Sequence, residues 1–310
     1  MSSSQPLAVA DGSTYSALRH NVRAALRPEV WLVVAGLLAI DLVWGTWIGF
    51  SIGGWARIVG ATAILLALAV SYQHRSRMLS DMALMASLWV ALSGTGAVLT
   101  YLATTCALPL QDGLLMRYDQ ALGFDWLDWR DKVASQPVVH LVLSCAYGSL
   151  MPQIVLSCLL LPARRMTERC ADLILMVAAT LMLTMMVSAF FPVLGPWATF
   201  EGGDIRYLPH VQMLRAPGPW HFDFPDMEGI VTMPSYHTVL ALLFIYAYRG
   251  MGAVGWVVAG LNALMLLSIP SIGGHYLVDM IVGSMIAGLC ILAFRVAPRL
   301  RRSSRLWLET

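Results

Sequence analysis

Two histidines and one aspartate are the residues of this sequence best placed to do chemistry together. His237 stands in Met233-Pro234-Ser235-Tyr236-His237-Thr238, and His275 opens His275-Tyr276-Leu277-Val278-Asp279 directly behind Gly273-Gly274. Four residues apart on a helix, His275 and Asp279 share one face. A carboxylate bonded to one ring nitrogen fixes the tautomer and leaves the other nitrogen free to attack. Pro234 fits the first turn of a helix, and Ser235 and Thr238 can satisfy free amides there. Such a helix end binds phosphate through its amides and its dipole, which makes Ser235 a candidate phosphate-binding residue. His237 in that turn could protonate a phosphate ester or its leaving oxygen. The chemistry these residues suit is phosphoryl transfer. A lone interfacial His is usually structural, and an H-x3-D pair could be half of a metal site. Two His at matching depth favour a catalytic pair, with no metal and no cofactor.

The elements that must carry these residues are membrane helices. Of the 310 residues 58% are hydrophobic and 12% charged, about half the charged fraction of a soluble domain. The apolar runs are continuous and near 20 residues long, the length of a spanning helix, which excludes the alternating pattern of a β-barrel. Eight spans are expected, near 30–50, 56–72, 79–103, 138–161, 171–191, 235–249, 252–270 and 275–295. The fold class is therefore all-α, a polytopic transmembrane bundle. With the N-terminus inside, 14 of the 20 Lys and Arg fall on inner segments, which supports an N-in, C-in chain. His237 then opens the sixth span and His275 the eighth, on the same outer surface. The first 27 residues are polar and the first apolar run can remain as a span, so no cleaved signal peptide is expected. Arg19, Arg23 and Arg27 read as a positive flank to that span.

Two outer loops are long. The one near 104–137 holds five Asp, and its Trp126 and Trp129 suit a membrane interface. The one near 192–233 holds Gly195-Pro196-Trp197, Arg206 and Arg215, and its aromatics and prolines suit a folded cap. Arg215 and then Arg206 are the candidate phosphate-binding cations, against the plainer reading of solvated loop charges. Tyr147 and Gln153, polar groups in the fourth span, could face the substrate, although ordinary interhelical hydrogen bonding would also explain them. Asp41 lies within the first span, where a carboxylate suggests function by default. The plainer reading is a bundle-facing Asp bonded to a hydroxyl or a backbone group. Five scattered Cys without a CxxC pair argue against a disulfide framework or a zinc site.

At the histidines the sequence resembles the type 2 phosphatidic acid phosphatase superfamily. Pro234-Ser235-Tyr236-His237 resembles its Pro-Ser-Gly-His motif, and His275 to Asp279 resembles the His-x3-Asp end of its third motif. The resemblance covers about 190–290, and the branch named for inositol phosphorylceramide synthase is the most similar, with its His-Tyr-x2-Asp and a Gly-Pro-Trp stretch. The resemblance implies a six-helix core and a phosphohistidine formed on His275. Asp279 would orient that histidine, and His237 would protonate the leaving alcohol and then activate the acceptor. Two departures stand out. The Lys-x6-Arg-Pro motif is absent from the outer side, and Ile269 occupies the place of the third motif's Arg. Both missing cations would hold phosphate oxygens, which points away from a standard phosphatidic acid phosphatase.

The expected organisation is a cytoplasmic tail over 1–28, an integral phosphoryl-transfer domain over 29–297 and a basic cytoplasmic tail over 298–310. The expected function is transfer of a lipid-linked phosphate to a hydroxyl acceptor at the outer face, with hydrolysis of a lipid phosphate or pyrophosphate as the alternative. Its partners would be a phospholipid or polyprenyl phosphate, an acceptor hydroxyl or water, and membrane lipid, with no nucleic acid. The expected location is a bacterial inner membrane, with the site facing the periplasm. A lipid transporter is a further reading, but polar residues do not continue through the bundle as a pathway would require. A non-catalytic lipid-binding relative is disfavoured by the intact His237, His275 and Asp279.

Overall fold

The computed structural model describes residues 28–201 and 205–308. The expected N-terminal tail, with its three arginines, lies outside the described residues. Twelve α-helices and two short strands follow one another among the described residues. They are α1 (Pro28–Ile48), β1 (Phe50–Gly53), α2 (Trp55–Tyr72), α3 (Arg77–Thr104), α4 (Asp112–Ala121), α5 (Trp126–Ala134), α6 (Pro137–Gly148), α7 (Leu150–Ala163), α8 (Thr167–Phe190), α9 (Leu208–Arg215), β2 (Trp220–Asp223), α10 (Tyr236–Ala247), α11 (Ala253–Gly273) and α12 (Leu277–Leu308). A π-helical turn, Trp197–Glu201, precedes α9, and a 3₁₀ turn, Phe224–Asp226, follows β2.

All eight apolar stretches are helical, but they do not cross alike. Six are long and apolar enough to span a membrane singly: α1, α2, α3, α8, α11 and the Leu277–Val296 part of α12. The fourth stretch is broken at Ser149, where α6 and α7 meet at 46°. The sixth, α10, has only 12 residues, about 18 Å of helix against a hydrocarbon core of about 30 Å. Arg169 at the start of α8 donates Nη1 hydrogen bonds to the carbonyls of Ala247 (3.2 Å) and Arg249 (2.8 Å). That pins the end of α10 beside the start of the 24-residue α8. The first turn of α10 is therefore recessed within the bundle, below the far end of α8.

The core is the contact of α3, α8 and α10, filled by Leu88, Leu92, Leu173, Ile174, Leu243 and Phe244, each at most 2% exposed. The chain between α8 and α10 folds over this bundle as a cap. Its β2 pairs in parallel with β1, Phe50 opposite Trp220 and Gly53 opposite Asp223. Phe50, Tyr101, Leu102, Val211, Leu214, Phe222 and Ile230 form one cluster that welds the cap to the end of α3. The buried Tyr101 hydroxyl accepts the Glu228 amide (2.8 Å) and shares a hydrogen bond with His210 Nδ1 (2.6 Å). Helices α4 and α5 cover the opposite flank. Trp126 is buried there rather than interfacial, and its Nε1 donates to the Pro270 carbonyl (2.7 Å).

Candidate active site

The first turn of α10 is fixed before its histidine is placed. Ser235 is the N-cap, and its Oγ accepts the Thr238 amide at 3.4 Å. Pro234 therefore lies one residue outside the helix instead of in its first turn. The Ser235 amide donates to the Asp279 carbonyl at 3.2 Å. This contact is possible because α12 carries Gly283 there, where a Cβ would stand 2.7 Å from the Ser235 carbonyl oxygen. The start of α10 thus rests directly against α12, and His237 faces the space beside it.

His275 sits in the turn between the spanning helices α11 and α12. Gly274 takes a left-handed conformation (φ +67°), and a Cβ on it would overlap the Trp197 indole. Glycine is needed there for both reasons. Gly195 packs as tightly, with its missing Cβ 2.8 Å from the Gly274 carbonyl oxygen. The Gly-Pro-Trp stretch is thus the seat of the His275 turn. Behind the turn, Asp279 is fully buried, and its Oδ2 accepts the Tyr276 amide at 3.0 Å. The same oxygen lies 3.4 Å from Nδ1 of His275, a contact that falls short of hydrogen-bond geometry. Nδ1 is thus the nitrogen turned toward Asp279, and the Thr232 backbone hydrogen-bonds the ring as well. Burial pushes the His275 pKa from 6.5 down to about 4, with the Thr232 backbone pulling partly back. The imidazole is therefore neutral near pH 7.

Two carboxylates of α4 hold this turn, and nothing in the sequence reading assigned them a role. Asp119 accepts the amides of Leu277 (2.8 Å, Oδ2) and Val278 (3.0 Å, Oδ1), which caps α12. Burial pushes its pKa up, and these two amides pull it back. Asp112, two turns earlier on the same face, accepts the amides of Leu194 (3.1 Å) and Gly195 (2.8 Å) and the Tyr276 hydroxyl (3.4 Å). The signal available was Asp112 and Asp119 seven apart in a helical stretch, but their partners lie some 80 and 160 residues away. Because Asp119 occupies the amides of Leu277 and Val278 and Asp279 that of Tyr276, the start of α12 is not an anion site.

Tyr147 and the two histidines share one cavity of about 620 Å³. The Tyr147 ring stacks on His237 with centroids 4.3 Å apart and planes 16° apart, and its hydroxyl lies 3.4 Å from His237 Nδ1. The same ring fills the place a side chain on Gly273 would take, 2.7 Å from the missing Cβ. The remaining walls are mostly apolar, among them Trp89, Leu92, Ile154, Leu181, Met185 and Leu240. Glu228, half-buried at the cap side, is the one Asp, Glu, Lys or Arg among the described lining residues.

The structure does not bring the other candidates to the histidines. Arg215 ends α9 and donates Nη2 to the Leu108 carbonyl at 2.8 Å, on the outside of the cap. Arg206 is 84% exposed and lies 3.8 Å from Glu228 Oε1. Arg206 precedes α9 and Arg215 ends it, and neither lines the cavity. Ser235 is fully buried and spends its oxygen on the helix cap. Gln153 accepts from Asn262 Nδ2 at 2.6 Å and donates to Ser149 Oγ at 3.0 Å, so it joins α7 to α11 rather than facing the cavity. Asp41 is buried, and neither of its oxygens has a hydrogen-bond partner among the described residues. No three His, Cys, Asp or Glu side chains gather to hold a metal ion among the described residues.

A helical membrane bundle that presents a His-x3-Asp turn and a second His to one apolar cavity defines a class of integral membrane protein with a lipid-facing polar site. The family model of the PAP2 superfamily matches residues 113–293, more than half of the chain, and the chain belongs to that superfamily. Membership carries phosphatase or phosphotransferase chemistry on lipid in a membrane. No curated protein and no solved structure matches the chain.

Proposed function

We propose that this chain is a membrane-integral lipid phosphotransferase that works through a phosphohistidine on His275. One observation carries the reading: His275, backed by the buried Asp279, and His237, backed by Tyr147, face the same apolar cavity. The Nε2 lone pair of His275 attacks phosphorus, and the bond from phosphorus to the lipid oxygen breaks. His237 gives its proton to that oxygen. In the second half, His237 takes the proton of an acceptor hydroxyl, whose oxygen attacks phosphorus as the P–N bond breaks. Asp279 holds the His275 ring and stabilises the charge it gains.

The amides of Tyr236 and His237 take no hydrogen bond among the described residues, and they are the donors of the α10 first turn suited to phosphate oxygens. The cavity walls offer no Lys or Arg among the described residues. A phosphate carrying one negative charge, as in a phosphodiester, fits such a site better than a dianionic monoester. That preference favours transfer from a phospholipid, as in the inositol phosphorylceramide synthase-like branch. Hydrolysis by the same residues, with water as acceptor, is the second reading. The positive-inside distribution supports a cap facing outward, at the periplasmic side of a bacterial inner membrane.

The deciding experiment offers phosphatidic acid, undecaprenyl pyrophosphate and phosphatidylinositol to the purified protein, each with and without ceramide or diacylglycerol. Free phosphate and new lipids are followed together. A phosphorylated lipid that needs the acceptor is the expected product, and acceptor-independent phosphate release would make this a phosphatase. Undiminished turnover by His275→Ala would remove the mechanism altogether.

A further inference from the structure

Three arginines meet at the end of the bundle opposite the histidines. Arg249 follows the last turn of α10, Arg295 stands near the end of the Leu277–Val296 span of α12, and Arg169 lies in the first turn of α8. Two of them share the Tyr246 ring. Arg249 Cζ lies 3.6 Å from its centroid and Arg295 Cζ 5.0 Å, so the two charges stand within about 9 Å of each other, close enough to repel. Arg169 is tied to the same corner through the Ala247 and Arg249 carbonyls. Arg249 donates to the Tyr246 carbonyl. None of the three guanidinium groups has an ion-pair partner among the described residues. Partial burial lowers the Arg249 pKa, Tyr246 raises it, Arg169 and Arg295 lower it, and Asp172 raises it. Two guanidinium neighbours against one carboxylate leave the corner positive.

This corner stands where lipid head groups lie. Each arginine is at the end of a bundle helix and not in its middle, and Tyr246 beside them is an aromatic of the kind that marks a membrane interface. Along α12, Met285, Leu289, Leu292 and Val296 form one exposed stripe that ends beside Arg295. Exposure there, on a spanning helix, is exposure to hydrocarbon. A phospholipid whose chain lies on this stripe has its phosphate level with Arg295 and Arg249. Guanidinium groups match phosphate oxygens in charge and geometry, and basic pockets between membrane helices hold anionic head groups.

We infer that Arg169, Arg249 and Arg295 form a second lipid site, which binds the phosphate of an anionic phospholipid in the leaflet opposite the histidine cavity. The bound phosphate offsets the repulsion among the three cations. It also joins the ends of α8, α10 and α12, and α10 and α12 carry His237 and His275 at their other ends. The lipid is therefore a structural ligand that stabilises the folded chain by mass action. The site does not depend on the reaction or substrate proposed above.

The test uses the delipidated full chain in a neutral detergent, with thermal unfolding as the readout. Dioctanoyl phosphatidylglycerol, dioctanoyl phosphatidylcholine and inorganic phosphate are the probes. Phosphatidylglycerol should raise the unfolding temperature by about 3 °C or more over phosphatidylcholine, and inorganic phosphate should not. The double variant Arg249→Gln/Arg295→Gln should lose that rise. The charge-matched variant Arg75→Gln/Arg77→Gln, in the exposed turn between α2 and α3, should keep it. An equal rise with inorganic phosphate would make this a site for a free anion and overturn the lipid. A rise that persists in Arg249→Gln/Arg295→Gln would place the lipid elsewhere, the histidine cavity included. Equal loss in both double variants would reduce the effect to diffuse surface charge. A second measurement needs no variant. Phosphatidylglycerol with a diazirine close to its head group should label residues 246–249 and 292–296 of the wild type more strongly than the matching phosphatidylcholine. Equal labelling by the two lipids would overturn the site.

Discussion

The Tyr147 ring lies flat against His237, with centroids 4.3 Å apart and its hydroxyl 3.4 Å from Nδ1. Stacking fixes the plane of the imidazole, and the hydroxyl engages one nitrogen, so Nε2 is presented to the cavity. A proton donor held in this way should depend on both features separately. Tyr147→Phe keeps the stack and loses a hydrogen bond worth about 1 kcal/mol, so kcat should fall about fivefold with KM little changed. Tyr147→Ala also frees the ring and should fall further, by about a hundredfold. Steady-state kinetics on the lipid substrate checks this. Equal activity of the two variants would mean that the stacked ring contributes nothing beyond its hydroxyl.

Asp119 closes the start of α12 with two short hydrogen bonds, although it is 158 residues from the nearer of the two amides it binds. Asp119→Ala removes both acceptors from a buried helix end. We expect a loss of about 2 kcal/mol, read as a lower unfolding temperature in detergent, together with a fall in kcat because the His275 turn is no longer held. Asp119→Asn retains a carbonyl oxygen and should recover part of both. A variant that loses activity at unchanged unfolding temperature would instead place Asp119 in the reaction.

Gly274 and Trp197 occupy each other's space, so their substitutions should not add. Gly274→Ala meets the indole and also places a side chain at φ +67°, with a cost above about 1 kcal/mol. Trp197→Ala leaves a void beneath the turn and loses its edge-on contact with Trp126 at 5.3 Å. In the double variant the overlap is gone and only the backbone strain remains. Its loss of stability should therefore be smaller than the sum of the two single losses by about 1 kcal/mol. Thermal unfolding of the four proteins measures the difference, and strict additivity would mean that the turn shifts instead of resting on Trp197.

Much of this site could be read from local sequence, and the limits follow from what local sequence encodes. Pro234-Ser235 and Gly273-Gly274 mark helix ends by backbone chemistry, so the placement of His237 and His275 was legible. His275 and Asp279 lie on adjacent turns of one segment, so their meeting was legible too. The length and continuity of eight apolar stretches gave the fold class, but not the bend at Ser149 or the recess of α10, which depend on how neighbours pack. Arg206 and Arg215 looked like phosphate ligands because charge is visible in a sequence while side-chain direction is not. Asp112 and Asp119 looked like loop acids for the same reason: a cap is recognised by what it binds, and their amides come from distant segments. Tyr147 was noticed as a polar group in an apolar span, and only the fold shows that its neighbour is His237.

The neutral state of His275 leads to a pH prediction. The residue lies in a turn outside the spanning helices, and burial lowers its pKa from 6.5 to about 4. A nucleophilic histidine reacts only when unprotonated, and kcat/KM reports the free enzyme. The acid limb of kcat/KM should therefore fall near pH 4 rather than near 6.5. The same shift acts on stability. Between 6.5 and about 4 the unfolded chain binds the proton and the folded chain does not, so stability is lost as pH falls through that window and is fully present above it. His275→Gln does not titrate, so its stability relative to wild type should improve as pH is lowered from 7 to 4. Parallel kinetics and thermal unfolding across that range separate loss of nucleophile from loss of fold. An acid limb centred near pH 6.5, with a stability difference that does not change with pH, would mean that the His275 ring is solvated and that burial does not tune it.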